Sequence, residues 1–261
     1  MATLDVDGQL IGYATEGAGE PLLLLHGTTM NRTGFDTVRS AMPAGVEYSY
    51  VMVEFPGSGE SAMPSGPITV AALAAQAHAV MQHLGHERYH VAGYSLGAVA
   101  AAGLAGLQPA AVRSVTLIAG WITTDARMRA TFELWKRLIA TDKELFMRYA
   151  MVDGLTAAAH EAMEPILEMA IGMGAATIAE GSAAHLDLDI VVDIAAEVAA
   201  ITAPTLVIGG AEDRWVDASH SHALAVAIAG SRLEIMPAGH LMITESAPQI
   251  AALLHEHTSA A

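Results

Sequence analysis

Three residues of this chain combine the side chains of a nucleophilic relay with the right local setting. The first is Ser95, within Gly93-Tyr94-Ser95-Leu96-Gly97. An apolar, strand-like run precedes it and an apolar, helix-like run follows, which is the context a nucleophile elbow requires. So sharp a turn admits only small neighbours, and glycine stands on both sides of the Tyr94-Ser95-Leu96 triplet. It lifts the hydroxyl above the sheet edge and aims the Leu96 amide, at a helix N-terminus, toward a developing oxyanion.

A serine hydroxyl is a weak nucleophile at neutral pH and needs a base. The chain has 12 histidines, so type alone selects none. His240 is distinguished by its place in Pro237-Ala238-Gly239-His240-Leu241-Met242, between the last strand-like run and the last helix-like run. Loops at the C-terminal ends of strands are where open α/β sheets build their sites. The relay needs a carboxylate to orient the imidazole and steady its positive charge. Asp213 lies just past the preceding strand-like run, in Gly209-Gly210-Ala211-Glu212-Asp213-Arg214-Trp215-Val216-Asp217. Asp217 suits the cap of the following helix, whereas local sequence leaves Glu212 open as a rival. The order Ser95, Asp213, His240 is serine, acid, histidine.

Leu25-His26-Gly27-Thr28 supplies the remaining part. The Thr28 amide can pair with that of Leu96 to hold an oxyanion. A Thr28 hydroxyl at this point offers a further hydrogen bond there. His26 is expected to brace the loop. Other motifs carry less: Pro56-Gly57-Ser58-Gly59 lacks the Lys-Ser/Thr of a phosphate loop. The pairs His220/His222 and His255/His257 are spaced i, i+2, so on a helix they diverge and read as solvated rather than as metal ligands.

The elements that must position these residues follow from the pattern. Asp7-Gly8 predicts a hairpin turn between Leu4–Val6 and Gln9–Ile11. Strands are expected at Leu22–Leu25, Tyr48–Phe55, Arg88–Ala92, Ser114–Ala119, Pro204–Gly209 and Arg232–Met236. The run of four leucines suits a strand buried on both faces. Helices are expected at Phe35–Met42, Thr69–Leu84 (capped by Thr69, ended by Gly85), Leu96–Leu107 and Ala247–His255. The alternation implies βαβ units and a mostly parallel sheet. From Trp121 to Ala203 the rhythm breaks into helical patterns, over Arg127–Arg148 and Glu161–Ala170. That block is too long for a simple connection and is expected to be a helical cap. The division is therefore a core of residues 1–120 and 204–261 with a cap of residues 121–203.

Composition narrows the function. With 261 residues, 53% hydrophobic and 15% charged, the chain can bury a large core. A net charge of −16 repels nucleic acid and anionic membrane surfaces, so neither is expected as a partner. There is no cysteine, which excludes disulfides, a thiol nucleophile and thiolate metal sites. Met1–Gly8 is acidic and lacks a signal pattern, so the expected location is the cytoplasm.

Taken together, the chain resembles the α/β-hydrolase superfamily, in the serine-nucleophile branch with a helical cap. The resemblance rests on Leu25-His26-Gly27, Glu54-Phe55-Pro56-Gly57-Ser58-Gly59-Glu60-Ser61, Gly93–Gly97, Gly209–Asp213 and Gly239-His240. It implies a mostly parallel sheet of about eight strands, antiparallel at its second strand, and favours Asp213 over Glu212. Glu54 stands where many relatives have Asp, and Thr28-Thr29 replaces the Gly or bulky residue common after His-Gly. Ser95 argues against the branches that use Asp at the elbow.

The expected activity is hydrolysis of a carboxylic ester, thioester or lactone of a small, mainly apolar molecule, with no cofactor or metal. Alternatives are a lyase or cyclase on the same fold, for example eliminating acetate, to which the unusual Thr28-Thr29 points, and a ligand receptor without turnover. Thr29, Tyr94, Trp121, Trp135, Met147 and Leu241 are the expected pocket residues. The cap methionines suit core filling or an adaptable pocket. An apolar cap also suits a homodimer contact.

Overall fold

The computed structural model describes residues 1–261. The first strands, β1 (Ala2–Val6) and β2 (Gln9–Glu16), form the expected hairpin. Its turn residues Asp7 and Gly8 both have positive φ, 52° and 84°, as a tight hairpin turn demands. The remaining strands are β3 (Glu20–Leu25), β4 (Tyr48–Val53), β5 (Tyr89–Tyr94), β6 (Val112–Ile118), β7 (Thr205–Gly210) and β8 (Arg232–Met236). They form one eight-stranded sheet in the order β1-β2-β4-β3-β5-β6-β7-β8. β2 runs antiparallel to both neighbours, and every pair from β4 to β8 is parallel.

The leucine run of β3 shows why this strand is central. Leu23 and Leu25 join one buried cluster, whereas Leu22 and Leu24 join the other. Alternation on a strand sends successive side chains to opposite faces, so only a strand covered on both sides is leucine throughout. Strand order reverses beside β3, since the chain leaves β3 for β4 and then crosses back to β5. The loops after β3 and β5 therefore part at the switch point, where α/β sheets open a crevice.

Helices flank the sheet: α1 (Asp36–Ser40), after a 3-10 turn at Arg32–Phe35, then α2 (Val70–His83) and α3 (Leu96–Leu107). The Thr69 hydroxyl accepts from the Ala72 amide, confirming that cap. Between β6 and β7 lie α4 (Ala126–Thr141), α5 (Lys143–Gly154), α6 (Ala157–Met163), α7 (Leu167–Thr177), α8 (Ser182–Val191) and α9 (Ala195–Ala199), with no strand of the sheet. After β7 come α10 (Ala218–Ala227), α11 (Met242–Glu245) and α12 (Ala247–Ser259). No single helix is long and apolar enough to cross a membrane.

Two expectations about this insertion are corrected. The single pattern over Arg127–Arg148 is two helices, because Asp142 turns its side chain onto the amides of Glu144 and Leu145 and starts a new one. The pattern over Glu161–Ala170 is interrupted by a 3-10 turn at Glu164–Ile166, where Pro165 has no amide hydrogen to give. At the foot of the insertion Asp193 bridges back to Thr123. Beyond it α9 lies on α3 so tightly that a Cβ on Gly106 would sit 2.1 Å from the Glu197 carbonyl oxygen.

Candidate active site

The elbow is built as its glycines require. Ser95 has φ 55° and ψ −120°, and its amide donates to the Ile118 carbonyl at 2.8 Å. A Cβ on Gly93 would lie 2.0 Å from the Gly97 oxygen, and one on Gly97 would lie 2.0 Å from the Leu25 oxygen. Neither backbone can retreat, because each belongs to the central sheet or its first helical turn. Gly97→Ala is expected to destabilise the fold by about 3 kcal/mol, the upper range for overpacking, readable as a fall in denaturation midpoint.

Past β7, Asp213 is buried and fully partnered. Its Oδ1 accepts from the Trp215 amide at 2.9 Å and the Val216 amide at 2.8 Å. Its Oδ2 lies 2.7 Å from His240 Nδ1. His240 Nε2 in turn lies 3.1 Å from Ser95 Oγ. The structure thus brings Ser95, His240 and Asp213 into one hydrogen-bonded chain. The rivals fall outside it: Glu212 is exposed, and Asp217 caps α10 by accepting from the Ser219 amide at 3.0 Å.

The His240 loop is held from several sides. Tyr94 donates its hydroxyl to the His240 carbonyl at 2.9 Å, and burial raises its phenol well above 10. The Leu241 amide donates to the Gly154 carbonyl at 2.9 Å. The Glu245 carboxylate takes the Gly239 amide and the Thr156 hydroxyl together. Trp215 packs its ring 4.9 Å from the His240 ring, shielding it from water.

The loop after β3 passes directly over the elbow, since a Cβ on Gly27 would sit 3.3 Å from the Ser95 Cβ. Leu96 opens α3, so its amide has no intrahelical acceptor. His26 braces this loop as expected. The Phe55 amide donates to its Nε2 at 3.1 Å, so Nδ1 carries the proton and donates to the Gly27 carbonyl at 2.8 Å. Burial lowers its pKa to about 3, which keeps it neutral. The expected role of the Thr28 hydroxyl is corrected: it points away from the elbow and donates to Asp189 Oδ2 of α8 at 2.6 Å.

Ser95 and His240 open into a cavity of about 270 Å³ between the sheet and the insertion. Thr29, Tyr94, Trp135, Met147 and Leu241 line it. Trp121 does not: it is 1% exposed in the core, where its indole N–H donates to the Thr124 hydroxyl at 2.9 Å. Of the insertion's methionines, Met147, Met151 and Met163 face the cavity. Met128 belongs to the core, and Met169 and Met173 are exposed. Phe146, one of the cap aromatics, also lines the cavity, and sequence reasoning missed Trp215 as lining. Trp215 stands two residues past Asp213, whose Oδ1 its amide meets, and its ring packs beside the imidazole that Asp213 orients. No Asp, Glu, Lys or Arg lines the cavity. No cluster of side chains is arranged to hold a metal ion.

Sheet order, elbow and relay together define an enzyme class. A profile of the alpha/beta hydrolase fold matches residues 20–247, and the chain belongs to the α/β hydrolase family. Over 264 residues it is 27% identical to pyrrolizixenacetamide deacetylase of Xenorhabdus hominickii, covering 97% of this chain and 96% of that protein. It is 30% identical over 228 residues to RutD of Klebsiella pneumoniae, a candidate carbamate hydrolase, covering 84% of this chain and 85% of that one. A hydrolase structure from Pseudomonas aeruginosa PA01 superposes with a TM-score of 0.86 at 26% identity, covering 98% of this chain and 97% of that one.

Proposed function

We propose that this enzyme is a serine hydrolase that transfers an acyl group from an uncharged, mainly apolar small molecule to water. The observation that carries the reading is the unbroken chain Asp213–His240–Ser95 opening into a cavity without charged side chains. His240 Nε2 takes the Ser95 proton as Oγ attacks the substrate carbonyl carbon. The carbonyl oxygen becomes an oxyanion, for which the amides of Thr28 and Leu96 are the donors. The imidazolium, steadied by Asp213, returns the proton to the departing alcohol, thiol or amine. His240 then deprotonates water, which attacks the acyl-serine and releases the acid.

Ester, thioester and lactone carbonyls fit this scheme without a cofactor. The deacetylase similar to this chain adds N-acetyl amides as the next class to test. A carboxylate or ammonium on the substrate would be buried opposite Trp135, Phe146 and Met147 with no partner. Leaving a charge unpaired costs several kcal/mol, equivalent to about 10²- to 10³-fold in kcat/KM. Intact mass after a fluorophosphonate probe should show one adduct, on Ser95. Short-chain neutral esters should then be hydrolysed at least about 10²-fold more efficiently than carboxylate-bearing analogues of equal size. No adduct on folded protein would overturn the mechanism, and equal rates on charged and neutral esters would overturn the substrate class.

A further inference from the structure

Asp189 takes no part in the relay, yet it is the most unusual carboxyl group in the molecule. It is 0% exposed, on α8, and contacts the loop that carries the Thr28 amide. Its Oδ2 accepts the Thr28 hydroxyl, while Oδ1 is buried without a partner. One turn earlier on α8, His185 is likewise 0% exposed. Its Nε2 lies 2.9 Å from the Pro56 carbonyl and donates to it, which leaves Nδ1 an acceptor without a partner. Both stand on one face of α8, at i, i+4 spacing, and neither of these two atoms meets a hydrogen-bond partner.

No cation faces Asp189. On α8, Asp187 is exposed and paired with Lys136 of α4. Arg129 of α4 donates to the Ile190 carbonyl, and Lys143 of α5 to the Ile178 carbonyl. From the β3 side the neighbour is His26, neutral and with both ring nitrogens bonded. Beneath it, Glu54 is paired with Arg32. A carboxylate here would have one hydrogen bond and no counter-charge, an arrangement proteins avoid by keeping the proton.

We propose that Asp189 is a positioning residue for the oxyanion loop, fixing the Thr28 amide by holding its hydroxyl from behind, and that it acts as an uncharged carboxyl group. An ionised Asp189 would set a negative charge behind the site where the oxyanion develops and oppose it. The proposal rests on the serine-hydrolase reading above. Burial raises the Asp189 pKa from 3.8 to about 8, which places the loss of function at mildly alkaline pH. His185 is pushed the other way, to about 4, and stays neutral throughout that range.

The test is the pH dependence of kcat on a neutral ester in wild type, Asp189→Asn, Thr28→Val and Thr28→Ser. Wild type should lose kcat above about pH 8 with a one-proton slope. Asp189→Asn should be flat from neutral to alkaline pH, whatever its absolute rate. Thr28→Val should lower kcat by about 10- to 100-fold with KM little changed, through misplacement of the amide, and Thr28→Ser should restore it. A second readout needs no turnover. A carboxyl whose folded pKa is raised withholds ionisation from the folded state, so its contribution to stability is full below pH 3.8 and lost as pH rises to about 8. Wild type should therefore lose stability relative to Asp189→Asn across that window and no further above it. An alkaline limb that persists in Asp189→Asn, or a flat stability difference, would overturn the role of Asp189 while leaving Ser95 chemistry intact. A folded wild type that takes no fluorophosphonate at any pH would overturn the serine-hydrolase reading and this role with it.

Discussion

Ser95→Ala is expected to reduce ester turnover by about 10⁴- to 10⁶-fold while leaving the melting temperature within a degree or two of wild type. The side chain removed has one partner, His240 Nε2, and sits at the mouth of an existing cavity, so no core contact is lost. The backbone already holds φ 55°, a cost that serine and alanine share. The residual rate should reflect binding and the two oxyanion amides, which act without a nucleophile. Side-by-side kcat and thermal melts check this, and a variant retaining even a tenth of wild-type activity would place the nucleophile elsewhere.

Asp213→Asn should cost about 10⁴-fold in kcat with the geometry preserved, for a reason visible in the hydrogen bonds. The Trp215 and Val216 amides both donate to Oδ1, so an asparagine must keep its oxygen there. Its NH₂ then faces His240 Nδ1 and forces that nitrogen to accept. The ring proton moves to Nε2, which can no longer take a proton from Ser95. Glu212→Gln, one residue away but exposed, should leave kcat within about twofold, since surface substitutions remote from the reacting atoms perturb little. Steady-state kinetics of the two variants separates the rival carboxylates, and a larger loss in Glu212→Gln would reverse the assignment.

Much of this was legible because it is local. Gly93 and Gly97 flank Ser95 for steric reasons that act within five residues, and Asp7-Gly8 writes its own turn. Leu96–Leu107 matches the observed helix end to end. Legibility fails where the deciding contact is distant or where two neighbouring segments share a period. Arg127–Arg148 carries one apolar rhythm, and only the capping choice of Asp142 divides it. Trp121 is as large and apolar as Trp135, and nothing nearby says that one meets Thr124 in the core while the other meets the cavity. Asp189 was invisible because no motif marks it. Asp187, two residues earlier, has the same side chain on the solvent face, and only the tertiary approach of Thr28 distinguishes them.

The insertion does more than roof the cavity. It grips the Thr28–Thr29 loop through Asp189 and through the Ala179 amide on the Thr29 carbonyl. It grips the His240 loop through Gly154 and Thr156. The roof is thus part of the machine's frame, and not an interchangeable module. Grafting the corresponding stretch of a relative onto this sheet would exchange specificity and, in the same act, sever the struts of both reacting loops. A chimera that is to inherit a new pocket without losing rate has to carry the Thr28–Asp189 and Gly154–Leu241 pairings across as units, one partner on each side of the splice.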